Sequence, residues 1–257
     1  MKADYSVCYA ASKAFLPYLK LSIASLPEEI EKIVVWYAPE GDQLNLATPN
    51  VKIINWNTRL ENWQRAKAMN FAVEHAETEW ILLADADMIF PAILFSILPE
   101  SLTKAHEKTI FHFFVGRLNS ERTALVLSGK KRWQEFYEKY EGSMQYVPPS
   151  LLSRFLSKFC RTLTSNIIVE FGSHKIGYEK IYGSINPCIF NKGFFSKLGG
   201  YDINFIGWGG EDDDLERRAK EAGAVDIRLP IVIAHLWHPR IMDFKNYLSE
   251  STAYAIK

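Results

Sequence analysis

The 257-residue sequence has no surplus of either charge, with 30 Lys+Arg against 30 Asp+Glu. A domain that grips nucleic acid through its phosphates carries a basic excess, so this balance argues against nucleic acid as a partner. Cysteine is scarce. Cys8, Cys160 and Cys188 are odd in number, far apart and without a Cys-x-x-Cys spacing, which speaks against a thiolate metal cage and favours a reducing, cytosolic-type compartment. No run reaches the roughly 18 apolar residues that span a bilayer. The apolar segment near Met1 is also too brief for a signal-peptide core. Internal repeats and low-complexity tracts are lacking as well. What is present can build a core: 48% of residues are hydrophobic and 14% aromatic, enough for one large domain.

Apolar periodicity orders the chain. Residues 5–10 read as a buried strand, 14–26 as a helix stopped by Pro27, 32–38 and 50–56 as strands, and 63–76 as a helix through Ala66, Met69 and Val73. Residues 80–84 form a fully apolar strand that breaks off at Asp85. Further strands are expected at 109–115, 185–190 and 231–233, with a helix over 214–222. Strands separated by helices argue for an α/β fold with a parallel sheet and ligands at the carboxyl ends of its strands. The stretch from about 119 to 180 breaks the pattern and reads as an insertion. Within it, residues 151–163 are amphipathic: Leu151, Leu152, Phe155, Leu156 and Phe159 share one face, Arg154, Lys158 and Arg161 the other. Packing against the domain explains such a face, and so does peripheral docking on a membrane or an anionic acceptor.

Three polar clusters carry chemistry. Asp85-Ala86-Asp87 follows the apolar strand directly. In an extended chain the two carboxylates share a side, where hard oxygens suit a divalent cation carrying a diphosphate, although two aspartates capping a helix present the same pattern. Gly207-Trp208-Gly209-Gly210-Glu211-Asp212-Asp213-Asp214 crowds four carboxylates that repel one another unless they meet a cation, cap a helix N-terminus or share a proton. Its glycines permit close backbone approach, and Trp208 offers a flat face that stacks on a sugar ring. His235-Leu236-Trp237-His238-Pro239-Arg240 closes the last strand. Two imidazoles at that spacing can share one transition-metal cation where the chain turns, and Arg240 suits phosphate. A structural hydrogen-bonding role is the alternative for each histidine. His75, His106, His112 and His174 have no comparable context and receive no role.

These residues resemble the inverting β-1,4-galactosyltransferases and their relatives, including polypeptide N-acetylgalactosaminyltransferases and bacterial polysaccharide glycosyltransferases. Four passages carry the resemblance: Arg65-Ala66-Lys67-Ala68-Met69-Asn70, Asp85-Ala86-Asp87-Met88-Ile89, the segment Gly207 to Asp214, and His235-x-x-His238-x-Arg240. The resemblance implies a glycosyltransferase-A type fold: a Rossmann-like, mostly parallel sheet covered by helices, in one domain over 1–257. A nucleotide-binding half would occupy about 1–118, the insertion 119–180, and an acceptor and catalytic half 181–257. It also implies a UDP-sugar donor, a saccharide acceptor and a Mn2+ or Mg2+ cofactor. By the same resemblance Asp87, His235 and His238 hold the metal with Asp85 beside them, and Asp85, Arg65, Lys67 and Arg240 serve the donor. Asp212 is the catalytic base with Glu211 as its neighbour. Trp208, Gly209 and Asp213 meet the acceptor.

The galactosyltransferases place Met where this sequence has His235, which leaves metal binding intact and bears on the choice between magnesium and manganese. The shortage of cysteine and of an anchor favours a cytoplasmic enzyme of bacterial surface polysaccharide synthesis, working at the inner membrane face. Two other readings use the same motifs. A haloacid-dehalogenase-type phosphatase also begins with an apolar strand and Asp-x-Asp, but near its N-terminus and with Thr or Val where Ile89 stands. A non-catalytic sugar-binding protein on a glycosyltransferase fold would have lost an acid or a metal ligand, and none is missing.

Overall fold

The computed structural model describes residues 5–37, 42–57, 64–134, 180–205 and 210–239. The amphipathic segment 151–163 and Gly207, Trp208, Gly209 and Arg240 lie outside the described residues. The N-terminal part alternates as expected: β1 (Tyr5–Ala11), α1 (Leu16–Ala24), β2 (Glu31–Tyr37), β3 (Val51–Trp56), α2 (Arg65–Glu74) and β4 (Trp80–Ala84). Then come a two-residue strand β5 (Met88–Ile89), α3 (Ala92–Thr103), β6 (Thr109–Arg117) and α4 (Ser120–Leu127). The last described part holds β7 (Lys180–Asn191), α5 (Lys192–Lys197), α6 (Glu211–Glu221) and β8 (Val225–His235).

The strands form one eight-stranded sheet in the order β3-β2-β1-β4-β7-β6-β8-β5. The pairings β1/β2, β2/β3, β1/β4 and β6/β8 are parallel. β7 runs antiparallel between β4 and β6, and β5 antiparallel to β8. Period-2 alternation splits the core between the two faces. Val7, Tyr9, Val34, Trp36, Leu82 and Ala84 pack with Leu19 and Ile23 of α1 and Leu94 and Leu98 of α3. Cys8, Ile33, Val35, Ile81 and Leu83 pack with Ala68, Met69 and Ala72 of α2, Phe194 of α5, and Leu215 and Ala219 of α6. The sheet is therefore covered by helices on both faces.

Two boundaries differ from the sequence reading in ways that matter. The helix expected from residue 214 starts at Glu211, because Gly210 takes the left-handed region (φ 93°) and serves as N-cap. All four acidic residues thus occupy the first turn, with Arg218 and Lys220 in the last, which suits both ends of the helix dipole. The run 119–180 also begins as ordered structure. Asn119 caps α4 by accepting from Arg122 N at 2.9 Å, and α4 packs on α1.

Candidate active site

The sheet assembles the site from the ends of β4 and β8 and from Asn186 within β7. β4 stops at Ala84 and the chain turns, with Met88 N donating to Asp85 O at 3.3 Å. The turn cancels the alternation of an extended chain, so Asp85 and Asp87 do not share a side but engage different partners. Asp87 leads directly into β5, which pairs with β8 so that Met88 stands opposite His235. Leu236 N donates to Asp87 O at 2.9 Å, fixing the end of β8 against this turn. Asp87 and His235, 148 positions apart, are thereby held side by side.

Asp87, His235 and His238 present ligand atoms within 4.8 Å of one another. Asp87 Oδ2 lies 3.0 Å from His238 Nε2 and 3.6 Å from His235 Nε2. The Asp87 side chain is only 5% exposed. Burial works against its charge, yet the two imidazoles hold its carboxyl below the usual carboxylate range. Burial likewise opposes a charged His238, and Asp87 outweighs it and raises the ring above its ordinary value. His238 Nδ1 lies 3.0 Å from Pro239 O. A carbonyl can only accept, so Nδ1 carries a hydrogen and Nε2 is the ring atom turned toward Asp87. Asp87 Oδ1 and His235 Nδ1 are buried without a hydrogen-bond partner among the described residues. A buried carboxylate, two imidazoles and orphaned polar atoms fit a divalent transition-metal cation well.

Asp85 stands outside that triad. Arg65 donates to its Oδ1 from Nη2 at 2.8 Å and Nε at 3.1 Å, and Asn186 Nδ2 donates to its Oδ2 at 2.8 Å. The register explains Asn186: β7 places Cys188 opposite Leu83, so two residues further Asn186 meets Asp85. Asp85, expected beside the metal, thus lies outside the group Asp87, His235 and His238, with both its oxygens bonded to side chains of the protein.

Arg65 also reaches α6, with Nη1 at 3.2 Å from Glu211 Oε1 and 3.3 Å from Asp212 Oδ1. One guanidinium thus relieves the repulsion among three carboxylates, and its fork of donors allows this where an ammonium would not. Asp212 Oδ1 receives a second bond from Tyr201 Oη at 2.9 Å. Both bonds fall on Oδ1, so Oδ2 has no hydrogen bond among the described residues, and the side chain is 30% exposed. Burial raises the Glu211 carboxyl above its ordinary value, Arg65 opposing and the charge of Asp212 adding to it. Asp214 is held by Arg217 at 2.6 Å and Arg218 at 2.7 Å, while Asp213 is exposed. Lys67 is half-buried on α2, beside the face that carries Arg65.

Several residues of the site carried no signal that the sequence reading used. Asn186 had one, a polar residue inside the apolar run 185–190. Tyr201 had none, and its position depends on Asn70, a residue of the Arg-Ala-Lys-x-x-Asn passage. Asn70 Nδ2 donates to Tyr201 O and Tyr201 N to Asn70 Oδ1, both at 2.8 Å. Gly200 (φ 68°) lets the chain pass, since a Cβ there would meet Asn70 Oδ1 at 2.6 Å. Gly200→Ala should therefore cost about 2–4 kcal/mol, the left-handed penalty plus overpacking, read as a lower midpoint in denaturant unfolding. Phe15 and Tyr18 of the α1 region wall the metal triad. Phe15 meets the His238 ring edge-on at 5.4 Å, and Tyr18 Oη donates to Trp237 O at 3.4 Å.

Comparison with known proteins bears on the fold and on the C-terminal part of the sequence. The family described as the N-terminal domain of galactosyltransferase matches residues 165–240. Human chondroitin sulfate N-acetylgalactosaminyltransferase 1 is 35% identical over 69 residues, 26% of this chain and 13% of the relative. The mouse type 2 enzyme is 35% identical over 65 residues, 25% of this chain and 12% of the relative. The match therefore spans about an eighth of the length of these curated relatives. Among solved structures, S. aureus TarS 1-349 in complex with UDP-GlcNAc superposes with a TM-score of 0.59 at 12% identity, covering 99% of this chain and 68% of that one. GalNAc-T7 with UDP, GalNAc and Mn2+ gives 0.56 at 13% identity, covering 97% and 51%. This chain has the glycosyltransferase-A fold, and its residues 165–240 are similar in sequence to the galactosyltransferase N-terminal domain family.

Proposed function

We propose that the protein is a metal-dependent inverting glycosyltransferase that moves a hexose or N-acetylhexosamine from a UDP-sugar to a saccharide hydroxyl. The observation that carries this reading is Arg65, which ties Asp85, two residues before Asp87 in the turn after β4, to Glu211 and Asp212 of α6. On one side lies the ligand-ready triad Asp87, His235 and His238. On the other lies Asp212, one oxygen tied down and the other unbonded. UDP-GlcNAc in the TarS structure and UDP with Mn2+ in the GalNAc-T7 structure support the donor class and the cation.

Transfer breaks the bond between the anomeric carbon and the diphosphate and forms one to the acceptor oxygen. Asp87, His235 and His238 would hold a divalent cation, which would supply positive charge for the departing diphosphate. Asp212 Oδ2 takes the proton of the attacking hydroxyl, and Tyr201 and Arg65, bonded to Oδ1, fix the orientation of that carboxylate. Asn186 and Arg65 hold Asp85 as a negative wall between the two groups, where it meets donor hydroxyls. Glu211 lies beside Asp212, bonded to Arg65, and burial raises its carboxyl above the ordinary glutamate value. With one base and no nucleophile required, a single displacement inverts the anomeric centre. Proton NMR of the first product formed from an α-linked donor should therefore show a β-anomer, and an α-anomer would overturn the mechanism.

The acceptor belongs to a bacterial surface polysaccharide, and the enzyme works in the cytoplasm at the inner membrane face. The buried free thiols of Cys8 and Cys188 support a reducing compartment. Among the described residues no helix is long and apolar enough to cross a membrane.

A further inference from the structure

A second group of ligating side chains lies on the same face of the sheet as α6, apart from the triad. His112 of β6 is 3% exposed, and its Nε2 stands 3.3 Å from Asp226 Oδ1 on β8. Parallel pairing of the two strands sets Ile110 opposite Asp226 and so brings His112 within reach of that carboxylate. Glu216 of α6 completes the group, and one ligand atom from each of the three lies within 4.8 Å of the others.

The hydrogen bonds fix the tautomer. His112 Nδ1 is 3.2 Å from Ile185 O, and a carbonyl only accepts, so Nδ1 carries the hydrogen. Nε2 is then the ring atom that faces the Asp226 carboxylate, at 3.3 Å. Lys220 brings a positive charge to the same two carboxylates: its Nζ is 2.6 Å from Glu216 Oε1 and 3.8 Å from Asp226 Oδ2. Lys220 is half exposed, and its flexible stem lets the ammonium swing into solvent.

We propose that His112, Glu216 and Asp226 form a second divalent-cation site, of the zinc class, which Lys220 occupies with its ammonium when no metal is bound. One imidazole nitrogen oriented by a backbone carbonyl, plus two carboxylates, is a three-ligand set that water completes to a tetrahedron. Partly exposed Glu216 and Asp226 give the ion a route in. The cation joins β6, β8 and α6. Glu216 lies one helical turn beyond Asp212, and both line a narrow gap with His112 and Tyr201. The site therefore pins the helix that bears Asp212 to the sheet.

The test uses the full chain carrying Asp87→Asn and His238→Ala, so that the triad is silent, stripped with chelator and titrated with Zn2+ by calorimetry. Cobalt absorption reports the ligand set. One equivalent of Zn2+ should bind. Glu216→Gln and Asp226→Asn, at side chains that reach solvent and so spare the fold, should each weaken it at least tenfold. Lys220→Met should tighten it severalfold by removing the competing ammonium. His112→Ala should abolish the cobalt imidazole signature. Absence of an equivalent, or one that survives Glu216→Gln and Asp226→Asn, overturns the proposal, as does weaker binding in Lys220→Met.

Discussion

Asp212→Asn should lower kcat for sugar transfer by about 10²–10⁴-fold, the usual contribution of a positioned general base, while changing donor affinity by less than about twofold. Asparagine keeps an oxygen for Tyr201 and Arg65, so the local hydrogen bonds survive and the fold is spared. What disappears is the carboxylate Oδ2, the atom with no hydrogen-bond partner among the described residues. Transfer is read as UDP release in the presence of acceptor, and donor affinity by titration calorimetry. Equal losses in both would show that Asp212 binds rather than takes the proton.

Replacing Asp87 by Asn should have an effect as large and of a different kind. The substitution removes the one anionic ligand of the triad and leaves two imidazoles, so Mn2+ affinity should fall by about 100-fold or more, second only to removing the metal altogether. Activity at subsaturating Mn2+ falls with it and recovers in part at high metal, which Asp212→Asn does not. The metal-free state also predicts a pH dependence. Asp87 holds the His238 ring protonated above its ordinary value, and a cation must displace that proton. Mn2+ binding should therefore tighten as pH rises through and beyond about 6.5, the reference imidazole value, with proton release into buffer. Metal affinity independent of pH, or unchanged in Asp87→Asn, would place the cation elsewhere.

Much of this architecture was legible in the sequence wherever one periodicity dominated. The strand 80–84 is apolar on both faces and appears with the bounds expected, and the polar residues that follow it stand at a strand end. Legibility failed where tertiary pairing decides. The pattern around Pro99 hid the helix Ala92–Thr103, because an internal proline argues against one. The two-residue β5 exists only through its pairing with β8. The parting of Asp85 from Asp87 could not be read from alternation, since it depends on a turn and on Arg65, Asn186 and the histidines arriving from other elements. The acidic run shows the same limit. Its four carboxylates were expected to meet a cation, cap a helix N-terminus or share a proton; all four fill the first turn of α6, and what the pattern did not show is that Arg65, Arg217 and Arg218 pair with three of them.

The central claim is that a cation at Asp87, His235 and His238 and a UDP-sugar are bound together. Thermal stabilisation of the chelator-stripped chain by a panel of nucleotide sugars, each with and without Mn2+, tests it most directly. At least one UDP-sugar should raise Tm by several degrees with Mn2+, and the shift should vanish with added chelator and in Asp87→Asn. No Tm shift with any UDP-sugar, or a shift equal in the presence and absence of Mn2+, would contradict it.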